Sequence, residues 1–561
     1  MPDSAATTEE LVFLPLGGCG EIGMNLNAYG YGPAHARRWI IIDVGVTFGS
    51  PSEPGVELIC ADPAYLIGEN IDAIFLTHAH EDHIGAIGLL YPLLRTKAPI
   101  YATPFTAELV RGKLQERGVD TRFLKTIALG TSVQAGPFNV KYVTLTHSIP
   151  EPNALAIETP AGLILHTGDW KIDPEPLIGA RTDIEGLTAL GDRGVLAMVC
   201  DSTNVFESGE SGSEDTVRKG LIDLIGKQTG AVAVTTFASN VARVKSIIEA
   251  ANRAGRNVCL VGRSMHKITA AAKAVGILPA NLEFVDEAEA GYLPPENILY
   301  LCTGSQGEAN AALSRIARGD HRNVTLREDD TVIFSSRLIP GNESSVYALQ
   351  NSLAEQGIRI ITPRMVQEPI HVSGHPCRDE LRRMYQWVRP RVAIPVHGER
   401  RHIVEHAAYA KSLQVKAALT PRNGSLIRLA PGEPEIIDEV PAGRLMLDGS
   451  RLVPEAAEGL IERRRLSIVG VILATLCLDS AGDVVDGPVI AVKGLSETDG
   501  RIADESLEPL DEAAARALGG IKRRDRSDDE VIEKVVGRAL RKACEVEFGI
   551  RPLIEVIVLR S

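Results

Sequence analysis

Apolar residues follow two successive patterns along this chain. Early on they form short runs rich in β-branched and aromatic residues. Leu11–Leu16, Trp39–Asp43, Ala73–Leu76, Lys141–Thr144 and Leu163–His166 read as strands. Unbroken runs such as Ile40-Ile41-Ile42 predict strands covered on both faces, as in a helix-flanked sandwich. Between Thr216 and Ile361 strands alternate with helices: a strand Ala231–Thr235, a helix Asn240–Ala254, a strand Val258–Val261 and a helix from Lys267. That alternation predicts an α/β module with a parallel sheet. A strand Val392–Pro395 follows, and residues 447–461 read as a turn-rich linker. Beyond it, the apolar run Leu466–Leu478 reads as a strand, Val489–Val492 and Leu553–Leu559 as two more, and Asp511–Leu518 and Asp528–Glu547 as helices. Together they make a small α+β domain. No internal repeat or low-complexity tract interrupts the pattern.

At 561 residues the chain suggests three or four structural units, taking ~150 residues per domain. With 44% hydrophobic and 24% charged residues it is an ordinary globular composition, which excludes a disordered, collagen-like or coiled-coil chain. A net charge of −14 argues against a protein that coats nucleic acid nonspecifically, though not against a nucleic-acid enzyme with a local basic groove. Aromatics, at 4%, are too sparse for long base-stacking platforms. No two of the eight cysteines lie within four residues of each other, so there is no Cys-x-x-Cys pair, and reduced, buried thiols are expected. Met1 to Glu10 carries no basic residue and no apolar core, unlike a signal peptide. Leu466–Leu478 is too short to span a bilayer. The expectation is a soluble cytoplasmic protein without a membrane partner.

The densest chemistry lies in Thr77-His78-Ala79-His80-Glu81-Asp82-His83, directly after the strand Ala73–Leu76. Residues two apart in an extended segment share a face, so His78 and His80 can clamp one ion. Asp82 and His83, at the following turn, can reach a second. Imidazole suits Zn²⁺, and a carboxylate can bridge two ions. Histidine is otherwise scarce, 13 in the whole chain, which argues against a merely solvated polar loop. Further ligands are sought where other strands end: His147 after Lys141–Thr144, His166 and Asp169 after Leu163–Leu165, and His397 after Val392–Ile394.

A second constellation, His371-Val372-Ser373-Gly374-His375, offers two imidazoles, a hydroxyl and a glycine that exposes backbone N–H, a set suited to a phosphate nest. Residues 241–270 hold six cations against Glu249 alone, and 371–405 hold seven arginines against four acids. These stretches could line a groove that tracks a nucleic-acid backbone, or simply form solvated helix faces. Ser239, Asn240, Arg263 and Ser264 are expected at loops after strands, placed to take a 5′ phosphate.

The pattern His-x-His-x-Asp-His, followed by single His, Asp and His at these separations, resembles the metallo-β-lactamase superfamily. The α/β module ahead of His397 resembles its β-CASP nuclease branch. Asp201-Ser202-Thr203-Asn204, Phe237-Ala238-Ser239-Asn240, Gly262-Arg263-Ser264-Met265, Thr303-Gly304-Ser305-Gln306-Gly307-Glu308, His371–His375 and Pro395-Val396-His397-Gly398-Glu399 together resemble the ribonuclease J family over about residues 10–450, and more weakly beyond. The resemblance implies two zinc ions per subunit: one on His78, His80, His147 and Asp169, the other on Asp82, His83, Asp169 and His397, with Asp169 bridging. Mn²⁺ or Mg²⁺ would be substitutes that support activity. Such a pair of ions lowers the pKa of bound water toward ~7 and stabilises attacking and leaving oxygens. The resemblance gives Asp82 the task of orienting that water, residues 371–375 the substrate phosphate, and His375 the role of general acid or transition-state clamp. Asp201 supports the site by orienting a ligand histidine; from the residues alone it could equally cap a helix, since Ser202-Thr203-Asn204 follows it. Two departures limit the carry-over. Ala242 stands where many relatives carry a polar or aromatic residue, so one nucleotide contact is not expected. The stretch Phe48–Pro54 lacks the acidic cluster of relatives with a structural calcium site.

The expected architecture is an α/β chain: a metallo-β-lactamase αββα sandwich (1–205 and 365–450) with an inserted β-CASP module (206–364). A linker (451–460) and a C-terminal α+β dimerisation domain (461–561) follow. The expected activity is hydrolysis of single-stranded RNA, 5′→3′ from a monophosphate end and also endonucleolytic, by a dimer or tetramer working in RNA processing and decay. Two rivals remain at this stage. One is another hydrolase on the same scaffold, such as a DNA nuclease, lactonase or thioesterase, since fold alone does not fix substrate. The other is a silent RNA-binding scaffold, which the complete ligand set disfavours.

Overall fold

The structure is a computed structural model that describes residues 8–50, 52–339, 341–495 and 507–561. Most of the N-terminal stretch read against a signal peptide therefore lies outside the described residues, as does Pro51 of the stretch 48–54. The chain forms two compact units, Met1–Thr47 with Cys60–Arg444, and Phe48–Ile59 with Leu445–Ser561. No helix among the described residues is long and apolar enough to cross a membrane.

Two sheets make the sandwich of the first unit. The eight-stranded sheet runs Glu435–Glu439, Ser425–Ala430, Glu10–Gly17, Leu26–Gly32, Arg38–Ile42, Asn70–Phe75, Ile100–Ala102, Leu124–Thr126. The seven-stranded sheet runs Ser132–Ala135, Phe138–Thr144, Asn153–Thr159, Gly162–His166, Val195–Asp201, Val392–Val396, Ala417–Ala418. Their inner faces share one core, in which Phe13, Tyr29, Ile40, Ile42 and Phe75 meet Phe138, Tyr142, Leu155, Ile164 and Ile394. Trp39 and Ile41, on the opposite face of their strand, are also buried, which is why that run is apolar at every position. Helices Ile184–Arg193, Arg378–Val388 and Arg400–Ser412 cover the outer face of the second sheet through Leu187, Met384, Tyr385 and Ala410.

The inserted module is a five-stranded, wholly parallel sheet in the order Asn257–Val261, Ile298–Cys302, Val232–Thr235, Thr331–Phe334, Arg359–Ile361. Separate apolar clusters cover its two faces, as a doubly wound sheet requires. The helix predicted from Asn240 runs Val241–Arg253, with Asn240 as its side-chain cap. The helix predicted from Lys267 begins earlier, at Arg263.

In the second unit, strands Val471–Leu478, Val484–Lys493 and Leu553–Arg560 form a sheet packed on helices Glu508–Gly519 and Asp529–Glu547. Two sequence readings change here. The run Leu466–Leu478 is not one strand: its first four residues end the helix Glu458–Val469, and Gly470, at φ 67°, turns the chain into the strand. The segment read as a linker carries the strand Arg451–Pro454 and the first turn of that helix.

Candidate metal centre

Every predicted metal ligand stands at the end of a strand or in the turn after it, so the sandwich delivers them all to one edge. Their ligand atoms form two groups, His78, His80, His147 and Asp169, and Asp82, His83, Asp169 and His397, each mutually within 4.8 Å. In the first, His80 Nδ1 lies 3.1 Å from His78 Nε2 and 3.0 Å from His147 Nε2, and both latter atoms are 3.9 Å from Asp169 Oδ2. In the second, Asp169 Oδ2 lies 3.2 Å from His83 Nε2 and 3.4 Å from His397 Nε2, while Asp82 Oδ2 is 3.5 and 3.7 Å from the same nitrogens. One oxygen of Asp169 therefore belongs to both groups.

These residues fit bound cations. His147 Nδ1 donates to Gly374 O at 2.5 Å, so its Nε2 turns a bare lone pair inward. His83 Nδ1 donates to Asp43 Oδ2 at 2.7 Å; burial would lower this imidazole, but Asp169, Asp82 and Asp43 outweigh it and raise it well above the usual range, so a cation there displaces its Nε2 proton. Burial holds His78 and His147 well below the usual imidazole range and brings His80 to about 4, which keeps all three in the neutral, ligating form. Burial alone would raise Asp169, but His397 and His83 hold it down as a carboxylate. His397 Nε2 and Asp169 Oδ1 are buried with no hydrogen-bond partner, a costly arrangement unless something positive sits between them. His166, by contrast, turns away: its Nδ1 is 3.0 Å from the Tyr29 hydroxyl, beneath the centre.

The loop His371–His375 closes against the first group. Gly374 is required there, since a Cβ would stand 2.8 Å from the His147 ring. Asp201 Oδ2 takes His375 Nδ1 at 2.8 Å, so the histidine it orients is not one of the predicted ligands, and Oδ1 accepts from Thr203 N at 2.8 Å in a turn, with no helix starting there to cap. Burial would lower His375, but Asp201 outweighs it and raises the imidazole to about 9. Ser373 Oγ accepts from Asn204 Nδ2 at 2.8 Å and from His375 N at 3.2 Å, leaving its proton free to donate. Val372 packs over Gly212. His371, pushed down to about 3 by burial and by Arg243, is neutral, with Nδ1 facing Arg243 Nη1.

The 5′-phosphate group of residues is only partly brought together. Arg263 and Ser264 open their helix with exposed side chains, and Ser239 is half-buried. Asn240 is committed elsewhere: its Oδ1 accepts from Arg243 N and its Nδ2 donates to Glu214. The basic groove read from residues 241–270 and 371–405 is also largely spent internally. Arg243 is fully buried on Glu214, Arg256 donates to carbonyls of Gln228, Gly230, Pro295 and Ile298, and Arg378, Arg383 and Arg389 pair with Glu405, Glu210 and Asp192. Sequence reasoning missed two residues beneath the centre. Asp43, besides holding His83, accepts from Thr77 N and Oγ1 at 2.8 Å each. Asn25 reaches Asp82 O, His83 and His397. Each is a single polar residue beside an apolar strand, with no local pattern to mark it.

A sandwich with five His and two Asp at one edge and a doubly wound insertion defines a metallo-β-lactamase-fold hydrolase carrying a β-CASP module. Residues 38–185 match the beta-lactamase superfamily domain and 364–421 the Zn-dependent metallo-hydrolase RNA specificity domain. Residues 229–353 match the beta-CASP domain of ribonuclease J and 459–561 its C-terminal domain. Ribonuclease J of Sinorhizobium meliloti is 44% identical over 559 residues, 99% of this chain and 98% of its own. That of Mycolicibacterium smegmatis is 38% identical over 550 residues, 97% and 96% of the two chains. A crystal structure of a protein of unknown function from Enterococcus faecalis covers 75% of this chain and 100% of its own, with a TM-score of 0.50 at 16% identity, a likeness of fold alone. The chain belongs to the ribonuclease J family and is a metal-dependent ribonuclease.

Proposed function

We propose that this chain hydrolyses single-stranded RNA with two zinc ions per subunit, 5′→3′ from monophosphate ends and also endonucleolytically, in cytoplasmic RNA processing and decay. The observation that carries the reading is the sharing of Asp169 Oδ2 by two complete four-residue groups directly beside the loop His371–His375. His78, His80, His147 and Asp169 would hold one ion, and Asp82, His83, Asp169 and His397 the other. Manganese or magnesium would substitute with activity retained. When bound, the ions supply activation of water and charge stabilisation at the attacking and leaving oxygens. The chain's own groups then position the phosphodiester. His371, accepting from Arg243 at Nδ1, has Nε2–H to offer a phosphate oxygen, and Ser373 Oγ–H offers a second donor. His375, protonated and held at Nδ1 by Asp201, has its Nε2 proton available for the leaving oxygen. Residues 1–205 with 365–450 form the catalytic sandwich in this reading, and 206–364 the module that lies over the RNA. Ser239, Arg263 and Ser264 are the groups assigned to the 5′ phosphate, while the Asn240 side chain caps the helix that follows it and holds Glu214. A small pocket takes a monophosphate, while a triphosphate adds bulk and charge. RNA labelled at both ends should lose 5′ mononucleotides much faster when it carries a 5′ monophosphate than a triphosphate. Equal rates on the two would show that no such pocket operates.

Residues 461–561 are assigned to dimerisation. The sheet of this domain packs one face on its helices, while Leu473, Val489, Ile557 and Leu559, all exposed, line the other. Closed two-fold pairing of such faces is the commonest way to cover them. Replacing Val489 and Ile557 together by Asp should halve the mass seen by light scattering with both ions retained. An unchanged mass would place the interface elsewhere.

A further inference from the structure

Beneath the second ligand group, the backbone takes an unusual course. Met24, Asp43 and His397 all adopt positive φ, 53°, 62° and 51°, a conformation that non-glycine residues hold only when their surroundings fix it. The segments carrying them are stitched together around Asn25. Asn25 N donates to Asp82 O at 3.0 Å, Gly45 N to Asn25 O at 2.8 Å, and His397 N to Gly18 O at 2.7 Å. A Cβ on Gly18 would stand 2.4 Å from Asn25 Oδ1, so the amide is clasped by bare backbone.

Asn25 itself is almost wholly buried. Its Nδ2 donates to Asp82 O at 3.0 Å, which commits that end of the amide as a donor. Nδ2 also lies 3.1 Å from His83 Nε2, so its two hydrogens face Asp82 O and His83; His397 Nδ1, 2.9 Å from Nδ2 and 3.1 Å from Oδ1, then donates to Oδ1. An imidazole that donates from Nδ1 has its lone pair on Nε2, and His397 Nε2 is the buried, partnerless nitrogen between Asp82 and Asp169. The same amide thus touches three members of the second group, Asp82 through its carbonyl and His83 and His397 through their rings. His83 receives comparable support from the Asp43 carboxylate. No member of the first group touches Asn25 in this way: His78 and His147 are braced by Thr77 and Gly374.

We propose that Asn25 is the positioning residue of the second metal position, fixing the tautomer and orientation of His397 while leaving the first position independent. This rests on the two-ion reading above. Partners of this kind typically change metal affinity about 10–100-fold. The test uses full-length, metal-free protein titrated with Zn²⁺ against a chromophoric chelator, with elemental analysis of the bound metal and a thermal melt of each apo protein. Asn25→Ala should keep the first equivalent at wild-type affinity and weaken the second by about 10–100-fold. Asn25→Asp keeps an acceptor for His397 Nδ1 and should recover most of that loss. Equal weakening of both equivalents, or an unchanged second equivalent, would overturn the assignment. A wild type that takes up one ion only would overturn the two-ion reading along with it. Independently of any variant, nitrogen NMR of histidine-labelled apo wild type should find the His397 proton on Nδ1; a proton on Nε2 would contradict the proposal.

Discussion

Replacing Asp82 and His83 together by alanine should reduce RNA turnover by about three orders of magnitude, the scale on which loss of a charge-stabilising group acts in hydrolases. Both side chains belong to the second group alone, and the first keeps His78, His80, His147 and Asp169. The double variant should therefore retain one ion of two. The fold should survive. Asp43 loses its imidazole partner but keeps the bonds from Thr77 N and Oγ1, so the cost is confined to about 1–3 kcal/mol for one weakened buried carboxylate. Near-normal turnover at stoichiometric protein would remove the two-ion assignment. Loss of the circular dichroism spectrum would instead show that the His-rich turn is needed for folding.

The second large effect is on stability and concerns Glu214. Arg243 is fully buried and bonds Glu214 through Nε and Nη2 at 2.9 and 2.8 Å, while its Nη1 reaches Ser335 and Ile370 O. Burial would raise Glu214, but the Arg243 guanidinium carries it down to about 2, with help from Lys171 and the Asn240 amide. Glu214→Gln leaves Arg243 buried without its counter-charge and should destabilise the protein by about 3–5 kcal/mol at neutral pH. Because the carboxyl is depressed in the folded state, its contribution is complete above its ordinary value and is lost as pH falls toward 2. The stability gap between wild type and Glu214→Gln should therefore narrow progressively on acidification below about pH 4.5. A gap that is absent at pH 7, or that widens in acid, would contradict the pairing. Since Arg243 also meets Ile370 O and His371, the variant should disturb the phosphate loop as well.

The residues that were legible in the sequence share one property: they cluster, or they close a strand. Six contiguous positions from His78 to His83 declare themselves by composition, and the strand-end rule found His147, Asp169 and His397, which the structure gathers into two groups. The same rule also offered His166, which burial and Tyr29 take out of the centre. What stayed hidden depends on burial and pairing across long separations. Asn25 meets His397 across 372 positions, and nothing local marks it. Arg243 counted as part of a basic stretch because sequence shows a charge but not that Glu214 neutralises it. Leu466–Leu478 looked like one strand because apolar runs in a helix end and in a strand are indistinguishable until Gly470 breaks them. The pairing of Phe48–Ile59 with the C-terminal unit left no trace in the pattern of the strands around it.

The central claim, a ribonuclease that works through two metal positions joined by Asp169, is tested most directly by titrating Zn²⁺ into metal-free protein while following hydrolysis of a 5′-monophosphorylated RNA. The account predicts negligible turnover at one equivalent per subunit and full turnover on filling the second. Full turnover at one equivalent, or turnover that needs no metal at all, would contradict it.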